Sequence, residues 1–226
     1  MQENILSVPI LYSLQNCPYA IRARYSLFKA KQRLLIRAIK LNNKPPEMLK
    51  ASPKGSVPVL VLNHSDEVGN QHIIDESINI MLWALNKNDP QDLLHSSDPK
   101  AQKEMLIFIK NFEMTFIPAL EAYSCAKRYH ESNLDECCTE CELTLQNLES
   151  QLTKHAFLYS EKESLIDIAL LPFIRKFARV ERQWYRNSPY PKLQKWLAGY
   201  LQSPLFTKVM TSHELWIENR KDIYLG

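Results

Sequence analysis

The chain has 226 residues, of which 45% are hydrophobic and 23% are charged, values typical of a globular protein with one large domain or two small ones. Its formal charge of +3 is small, and acidic residues alternate with the lysines and arginines, so the composition does not support nucleic-acid binding. The N-terminus lacks the pattern of a secretory signal, and no apolar run approaches the roughly 18 residues of a membrane span.

Strand and helix patterns alternate at the start of the chain. Residues 8–14, VPILYSL, are apolar and compact, as expected of a buried strand. The helix that follows from Cys17 places three apolar side chains on one stripe: Ile21, Tyr25 and Phe28. Arg22 and Arg24 lie mostly off that stripe, and residues 34–41 have the pattern of a second strand. A strand, a helix and a strand within about thirty residues predict a βαβ unit with parallel strands.

The next part of the chain has the pattern of a hairpin and a helix. Residues 42–55 form a proline-rich connection with one helical turn. The elements predicted after it are a strand at 56–63, a polar turn at 64–71, a short strand at 72–75 and a helix at 76–86. The order so far is therefore βαβ followed by ββα.

The composition changes at residues 87–98, which are polar and contain proline, and we predict a linker there. No convincing strand follows it, so residues 99–226 are predicted to be all-helical. The first long helix is expected to have Asp98 as its N-cap and Pro99 at its first position. Pro118 is expected to kink or break that helix.

Cys17 and Pro18 lie where the first predicted strand passes into the first predicted helix. If Cys17 is the N-cap, Pro18 is the first helical residue, where the missing proline N–H costs nothing. The N–H groups of Tyr19 and Ala20 then point toward the sulfur, and the positive end of the helix dipole favours the nucleophilic thiolate. The alternative is that Cys17 is a small buried hydrophobe, as a lone cysteine commonly is.

Two further segments support the reactive interpretation. Val57-Pro58 lies at the start of the third predicted strand, and this order of elements matches the thioredoxin-like pattern, in which that proline is cis and lies beside the cysteine. The alternative is a proline at the start of an edge strand. At the next predicted helix, the Ser77 hydroxyl and free N–H groups suit an anion, and Glu76 suits an ammonium group. The alternative there is a plain helix cap formed by Asp75.

These segments together resemble the glutathione S-transferases, most closely the cysteine-type members, which are the omega class and its bacterial relatives. The resemblance rests on NCPYAIRARYSLFKAK, NNKPPEMLK, SVPVL and DES and extends over essentially the whole chain. It implies a thioredoxin-like, glutathione-binding domain at residues 1–86, a helical bundle at 99–226 and a homodimer. SLIDIALLPF resembles the capping box of the family, with Ser164 as the N-cap and Asp167 at the third position.

The resemblance also implies a role for each matching residue. Cys17 would form a mixed disulfide with glutathione. The implied glutathione contacts are Pro18 and Tyr19 at the rim, Lys44 at the glycyl carboxylate, Val57 and Pro58 at the cysteinyl part, and Glu76 and Ser77 at the γ-glutamyl end. The second substrate is expected near Tyr123, Arg175 and Trp184.

Ala20 stands where thioredoxin-type motifs have a second cysteine, so a second glutathione must resolve the mixed disulfide. We therefore expect a cytoplasmic glutathione-dependent thiol transferase or reductase, acting in detoxification on disulfides, dehydroascorbate or glutathionylated substrates. Two alternatives stay open. One is a conjugating transferase that activates bound glutathione through Tyr12 or backbone N–H groups, and the other is a non-catalytic glutathione-binding module. Neither a nucleic acid nor a membrane is expected as a partner.

The five cysteines are an odd number without the framework of a secreted scaffold, which favours a reducing cytosol. Cys137, Cys138 and Cys141 form a C-C-x-x-C cluster, but no paired His or Cys set at metal spacing stands nearby to complete a zinc site. We predict no metal and leave the role of this cluster open. The basic and aromatic segment 175–186 is more typical of a solvated helix face than of a nucleic-acid site.

Overall fold

A computed structural model describes residues 8–62 and 72–225 of the chain, so the predicted turn at 64–71 lies outside the described residues. The chain divides into two compact units, the first containing Met1–Pro90 and Pro204–Gly226 and the second Gln91–Ser203. The strands are β1 (Ile10–Ser13), β2 (Leu34–Ala38), β3 (Val59–Val61), β4 (Ile73–Ile74) and β5 (Ile223–Leu225). The helices are α1 (Pro18–Lys29), α2 (Pro46–Ala51), α3 (Ser77–Lys87), α4 (Ala101–Tyr129), α5 (Leu134–Lys154), α6 (Leu165–Val180), α7 (Arg182–Asn187), α8 (Pro191–Leu201), α9 (Pro204–Val209) and α10 (Trp216–Asn219).

The first unit is built on a mixed sheet with strand order β4-β3-β1-β2-β5. β1 and β2 are parallel, and β3 runs antiparallel to both β1 and β4, so the predicted βαβ and ββα units are confirmed. Successive side chains of β1 point to opposite faces, as they do in any strand. Tyr12 joins a buried cluster with Met48 of α2, whereas the Ser13 hydroxyl contacts Arg24 of α1. The two faces of the sheet are therefore covered by different helices.

The end of the chain differs from the prediction. Ile223–Leu225 form a strand that pairs antiparallel with β2, and the segment from Pro204 onward belongs to the first unit rather than to an all-helical second domain. Trp216 anchors this segment, because its ring meets the Tyr12 ring edge-on at 6.3 Å and stacks under the Arg37 guanidinium at 3.9 Å. Three residues are too few to show a strand period in sequence, and only the open edge of β2 makes them a strand.

The second unit consists of helices α4 to α8, in agreement with the predicted helical bundle. α4 is one continuous helix through Pro118, so the predicted break there is wrong. Proline cannot donate to the carbonyl of Met114, the residue one turn earlier, and Met114 lies on the exposed side of the helix with 67% of its surface exposed. The helix also begins at Ala101 rather than at Pro99, because Asp98 Oδ1 accepts the N–H of Lys100 at 2.9 Å in a preceding turn.

The predicted capping box at the start of α6 is confirmed. Both the N–H and the hydroxyl of Ser164 donate to Asp167 Oδ2, at 3.0 and 2.8 Å. Asp167 Oδ1 accepts two more hydrogen bonds, from the Leu158 N–H at 3.0 Å and from Trp196 Nε1 at 2.9 Å. The carboxylate is fully buried and joins α6, α8 and the preceding loop. Within residues 8–62 and 72–225, no helix is long and apolar enough to cross a membrane.

Candidate active site

Cys17 occupies the N-cap of α1, as predicted, with Pro18 as the first helical residue. Its N–H donates to the Leu14 carbonyl at 3.3 Å, and its own carbonyl accepts the N–H of Ile21 at 2.9 Å. These bonds join the end of β1 to the first turn of the helix, and proline suits this turn because no N–H is needed at its position. The thiol is half-buried and free.

The surroundings of the sulfur differ in one respect from the sequence prediction. The Cys17 side chain makes no capping hydrogen bond to the backbone of α1. Instead, Sγ lies 4.0 Å from the carbonyl oxygen of Val57, and the Val57-Pro58 peptide bond is cis, as predicted. Residues far apart in sequence, at the start of α1 and before β3, therefore meet at the thiol.

Ser77 is the first residue of α3 and contacts a side chain that the sequence analysis did not expect to be buried. Arg22 of α1 is only 2% exposed, and its Nε and Nη2 donate to Ser77 Oγ at 3.0 and 2.9 Å. Its guanidinium also lies 5.2 Å from the centre of the Tyr19 ring. Arg22 therefore links two residues that the resemblance assigns to glutathione, Tyr19 and Ser77.

The acidic residues before α3 are held by the segment that precedes β3. Glu76, rather than Asp75, is the N-cap of α3, and its carboxylate contacts Lys54 Nζ. That hydrogen bond raises the pKa of the Lys54 ammonium. Asp75 is not a helix cap, because its Oδ2 accepts the Ser52 hydroxyl at 3.1 Å.

Lys44 lies close to the same segment at Gly55, which has no side chain to keep it away. Gly55 has a positive φ of +63°, and a Cβ at this position would lie only 3.2 Å from Lys44 Nζ. Residues 52–57 thus contact Asp75, Glu76 and Cys17 and lie close to Lys44. The 52–57 segment is the common element of the candidate site, and proline flanks it at position 58.

The residues predicted for the second substrate lie in the second unit. Tyr123 is buried, and its hydroxyl donates to Glu181 Oε2 at 3.0 Å. Phe177 contacts both aromatic rings, that of Tyr123 at 5.4 Å and that of Trp184 at 5.7 Å between ring centres. Arg175 is half-buried, and burial together with nearby Arg179 lowers the pKa of its guanidinium. The Tyr123 hydroxyl is therefore engaged inside its own unit.

Tyr12, the candidate activating group of the conjugation alternative, faces away from α1. Its hydroxyl accepts a hydrogen bond from Arg37 Nη1 at 3.0 Å. Burial raises the pKa of the Tyr12 phenol more than Arg37 lowers it, so the phenol stays protonated at neutral pH. Tyr12 is consequently a protonated residue of the core, bound to Arg37, and does not have the features of an activating group.

A second buried arginine supports the loop before Cys17. Arg24 is 2% exposed and donates to Ser13 Oγ at 2.6 Å, to the Gln15 carbonyl at 2.7 Å and to the Val209 carbonyl at 2.9 Å. Sequence reasoning missed that Arg22 and Arg24 are both buried. One signal was available, since α1 contains no acidic residue that could pair with either arginine along the helix.

The cysteines of α5 have surroundings unlike those of Cys17. Cys137, Cys138 and Cys141 are all buried, and burial raises the pKa of each thiol, that of Cys141 to about 12. All five cysteines of the chain are free. In the part of the chain that the structure describes, no group of three or more His, Cys, Asp or Glu side chains could hold a metal ion.

Two family models match this chain. The model described as glutathione S-transferase, N-terminal domain, matches residues 11–92, and the model described as glutathione S-transferase, C-terminal domain, matches residues 105–204. Between them the two models account for most of the chain, in the order that the resemblance implied.

Curated proteins similar to this chain are also glutathione S-transferases. The chain is 27% identical to glutathione S-transferase omega-1 from Mus musculus over 208 residues, which are 91% of this chain and 80% of the mouse protein. It is 28% identical to glutathione S-transferase omega-1 from Sus scrofa over 199 residues, which are 86% of this chain and 77% of the pig protein.

Solved structures share the fold. A glutathione transferase family member from Pseudomonas fluorescens with two glutathione bound has a TM-score of 0.76 and 19% identity, covering 92% of this chain and 95% of its own. Glutathione transferase Omega 2C from Trametes versicolor has a TM-score of 0.71 and 21% identity, covering 94% of this chain and 96% of its own. At these identities the likeness concerns the fold alone.

Proposed function

The chain belongs to the glutathione S-transferase family, and from this premise we propose that it is a glutathione-dependent thiol transferase of the cysteine type, with Cys17 as its nucleophile. One observation carries the proposal. The half-buried Cys17 thiol lies at the first turn of α1 and 4.0 Å from the Val57 carbonyl, beside the backbone that an extended thiol peptide would pair with.

The reaction has two thiol–disulfide exchange steps. The Cys17 thiolate attacks the glutathione sulfur of a glutathionylated substrate, forms a mixed disulfide and releases the substrate sulfur as a thiol after protonation. The thiolate of a second glutathione then attacks the same glutathione sulfur, which regenerates Cys17 and forms glutathione disulfide. One external glutathione is consumed in each cycle: its sulfur is oxidised to the disulfide level, the substrate sulfur is reduced to a thiol, and the glutathionyl group of the substrate leaves as half of glutathione disulfide.

Resolution by a second glutathione fits the distribution of cysteines. Cys17 is the single cysteine of the first unit, because the other four lie between residues 125 and 141. Ala20, three residues on, has a fully buried methyl group and no thiol. No resolving thiol is therefore available within the first unit, and the reaction depends on external glutathione.

The 52–57 segment supports a specific orientation of glutathione. In this proposal the Val57 backbone pairs with the cysteinyl part, and Lys44 meets the glycyl carboxylate. Glu76 and Ser77 hold the ammonium and carboxylate of the γ-glutamyl end, beside the rim formed by Pro18 and Tyr19. Val57 contacts the Cys17 thiol, and the same short segment contacts Glu76 and lies close to Lys44, as a small tripeptide requires.

The second substrate is placed near Tyr123, Arg175 and Trp184 of the second unit, where the Tyr123 hydroxyl is bound to Glu181. Conjugation through Tyr12 is disfavoured, since that phenol is bound by Arg37 and its pKa is raised. The homodimer stays a prediction from the family resemblance, and the cytoplasmic location stays a prediction from the cysteine pattern.

The test is glutathione-dependent reduction of hydroxyethyl disulfide by the wild-type protein and by Cys17→Ala. We expect turnover by the wild type and a loss of at least about a hundredfold in the variant, because nucleophile removal eliminates the covalent route. After the wild type is exposed to glutathione disulfide, peptide mass mapping should find one glutathione on Cys17.

The matched control is Cys125→Ala, which removes the exposed thiol of the second unit and should leave turnover unchanged. A chlorodinitrobenzene conjugation assay separates the alternatives. Conjugation that persists in Cys17→Ala, without disulfide reduction by the wild type, would favour the conjugating transferase. Glutathione binding without turnover in either assay would favour a non-catalytic module, and both results contradict the Cys17 mechanism.

A further inference from the structure

Arg22 contacts Ser77, the residue proposed to hold the carboxylate of the γ-glutamyl end. Two of its N–H groups converge on the single oxygen Ser77 Oγ, at 3.0 and 2.9 Å. A serine hydroxyl has two acceptor lone pairs and one O–H donor. Because Arg22 occupies the acceptor capacity of Oγ, the O–H group is what remains for any third partner.

The direction of the hydrogen bonds between Arg22 and Ser77 cannot reverse. A guanidinium stays protonated in proteins and has no acceptor, so Arg22 never takes the hydrogen of the Ser77 hydroxyl. Arg22 is also held in place, since it is 2% exposed and its guanidinium lies 5.2 Å from the centre of the Tyr19 ring. Ser77 is thereby set as a donor, which suits a ligand group that only accepts hydrogen bonds.

The same arginine adds positive charge at this point. Its guanidinium lies 2.9 Å from Ser77 Oγ, at the N-terminus of the eleven-residue helix α3, where the N–H groups also favour an anion. A carboxylate is both an acceptor and an anion, whereas a carboxamide of the same shape is neutral and carries N–H donors of its own.

We propose that Arg22 is a positioning residue that makes Ser77 selective for the α-carboxylate of the γ-glutamyl group. This inference rests on the proposed function, because it concerns the same glutathione site. Arg22 thereby has a part in recognition that the sequence did not indicate. Arg22 acts through Ser77 and does not touch the ligand.

The experiment compares glutathione with an analogue in which the γ-glutamyl α-carboxylate is replaced by a carboxamide. Equilibrium binding of both ligands is measured by calorimetry in a Cys17→Ala background, so that the result does not depend on turnover. We expect the protein with Arg22 to prefer glutathione by at least about tenfold and Arg22→Met to lose most of that preference. In turnover assays Arg22→Met should raise the KM for glutathione and leave kcat within about twofold.

Two further variants keep the test decisive. In a Ser77→Ala background, Arg22→Met should change the preference by less than about twofold, because Arg22 acts through the hydroxyl. Arg22→Lys, which retains the charge but not the two-donor geometry, should fall between wild type and Arg22→Met. If Arg22→Met does not fold, Arg22→Lys is tested in its place.

The matched control is Arg24→Lys, compared with Arg22→Lys. Arg24 is equally buried on the same helix, but its hydrogen bonds go to Ser13, Gln15 and Val209. Its substitution should leave the ligand preference unchanged. An unchanged preference in Arg22→Lys and Arg22→Met, or an equal loss in Arg24→Lys, overturns the inference. Absence of disulfide reduction by the wild type with the binding preference intact would instead overturn only the proposed function.

Discussion

Cys17 lies at the start of a helix with a half-buried thiol beside the Val57 carbonyl, whereas Cys137, Cys138 and Cys141 lie inside α5 with at most 7% of each residue exposed. Burial raises the pKa of the α5 thiols and keeps them protonated at neutral pH. The residue type is the same, and only the position in a helix and the access of solvent separate a candidate nucleophile from packing groups.

The buried polar groups around Asp167 in the second unit and around Ser77 in the first also differ in how far their hydrogen-bonding capacity is used. In the second unit, the Asp167 carboxylate accepts four hydrogen bonds and is fully buried, so its bonding capacity is used internally. In the first unit, Arg22 supplies two donors to Ser77, and the hydroxyl hydrogen remains for another partner. In the proposed site the Ser77 hydroxyl hydrogen is available to a ligand, whereas the Asp167 carboxylate holds α6 and α8 together.

The largest predicted difference is in the rates at which iodoacetamide alkylates the individual cysteines of the folded protein. Near neutral pH we expect Cys17 and exposed Cys125 to react, and Cys141 to react at least about a thousandfold more slowly, because a pKa of about 12 leaves very little thiolate. Since the thiolate fraction rises with pH below the pKa, the Cys141 rate should increase about tenfold per pH unit while the fold persists. Peptide mass mapping measures each site.

Alkylation in denaturant is the control for this experiment, because it should bring all five thiols to similar rates. Equal reaction of Cys17 and the α5 cysteines in the folded protein would remove the contrast between the two units.

Asp167→Ala should give the next largest effect. It leaves four buried donors without their acceptor, and we expect the free energy of unfolding to fall by about 3–5 kcal/mol. Urea denaturation followed by circular dichroism measures the change. Asp135→Ala, which removes an exposed carboxylate from the first turn of α5, is the control and should cost less than about 1 kcal/mol. A similar loss in both variants would contradict a specific role for the buried capping box.

Gly55→Ala tests the turn in the 52–57 segment. The positive φ of +63° disfavours any side chain, and a Cβ would press on Lys44 Nζ, so we expect a loss of about 1–2 kcal/mol and a higher KM for glutathione. Gly199→Ala is the matched control, because Gly199 lies within α8 with nothing within 4 Å of an added Cβ. Alanine favours a helix, so this control should raise stability by up to about 1 kcal/mol. Equal behaviour of the two variants would show that Gly55 has no special conformational role.

Lys54→Ala should have the smallest effect. Lys54 contacts the Glu76 carboxylate and would compete with a ligand ammonium, so its removal should lower the KM for glutathione by about twofold at low ionic strength. The difference should vanish at high salt, because both groups are exposed and their interaction is screened. Lys50→Ala is the control from the nearby helix α2. A KM that rises several-fold instead would indicate that Lys54 itself contacts glutathione.

The amino-acid sequence alone determined the features that depend on neighbouring residues. Cys17 with Pro18 predicts the start of α1 because a helix accepts proline most readily in its first turn, and Ser164 with Asp167 predicts the capping box because the hydrogen bonds span three residues. The order of strands and helices from β1 to α3 follows from the hydrophobic periods in the same way.

The tertiary structure alone decided the features that depend on distant residues. Arg22 and Arg24 are buried because Ser77 of α3 and the Val209 carbonyl of α9 reach them, and no local pattern reveals such partners. Ile223–Leu225 form a strand because the edge of β2 accepts them. Burial of a charge and pairing of a strand both require partners that the rest of the chain supplies only after folding.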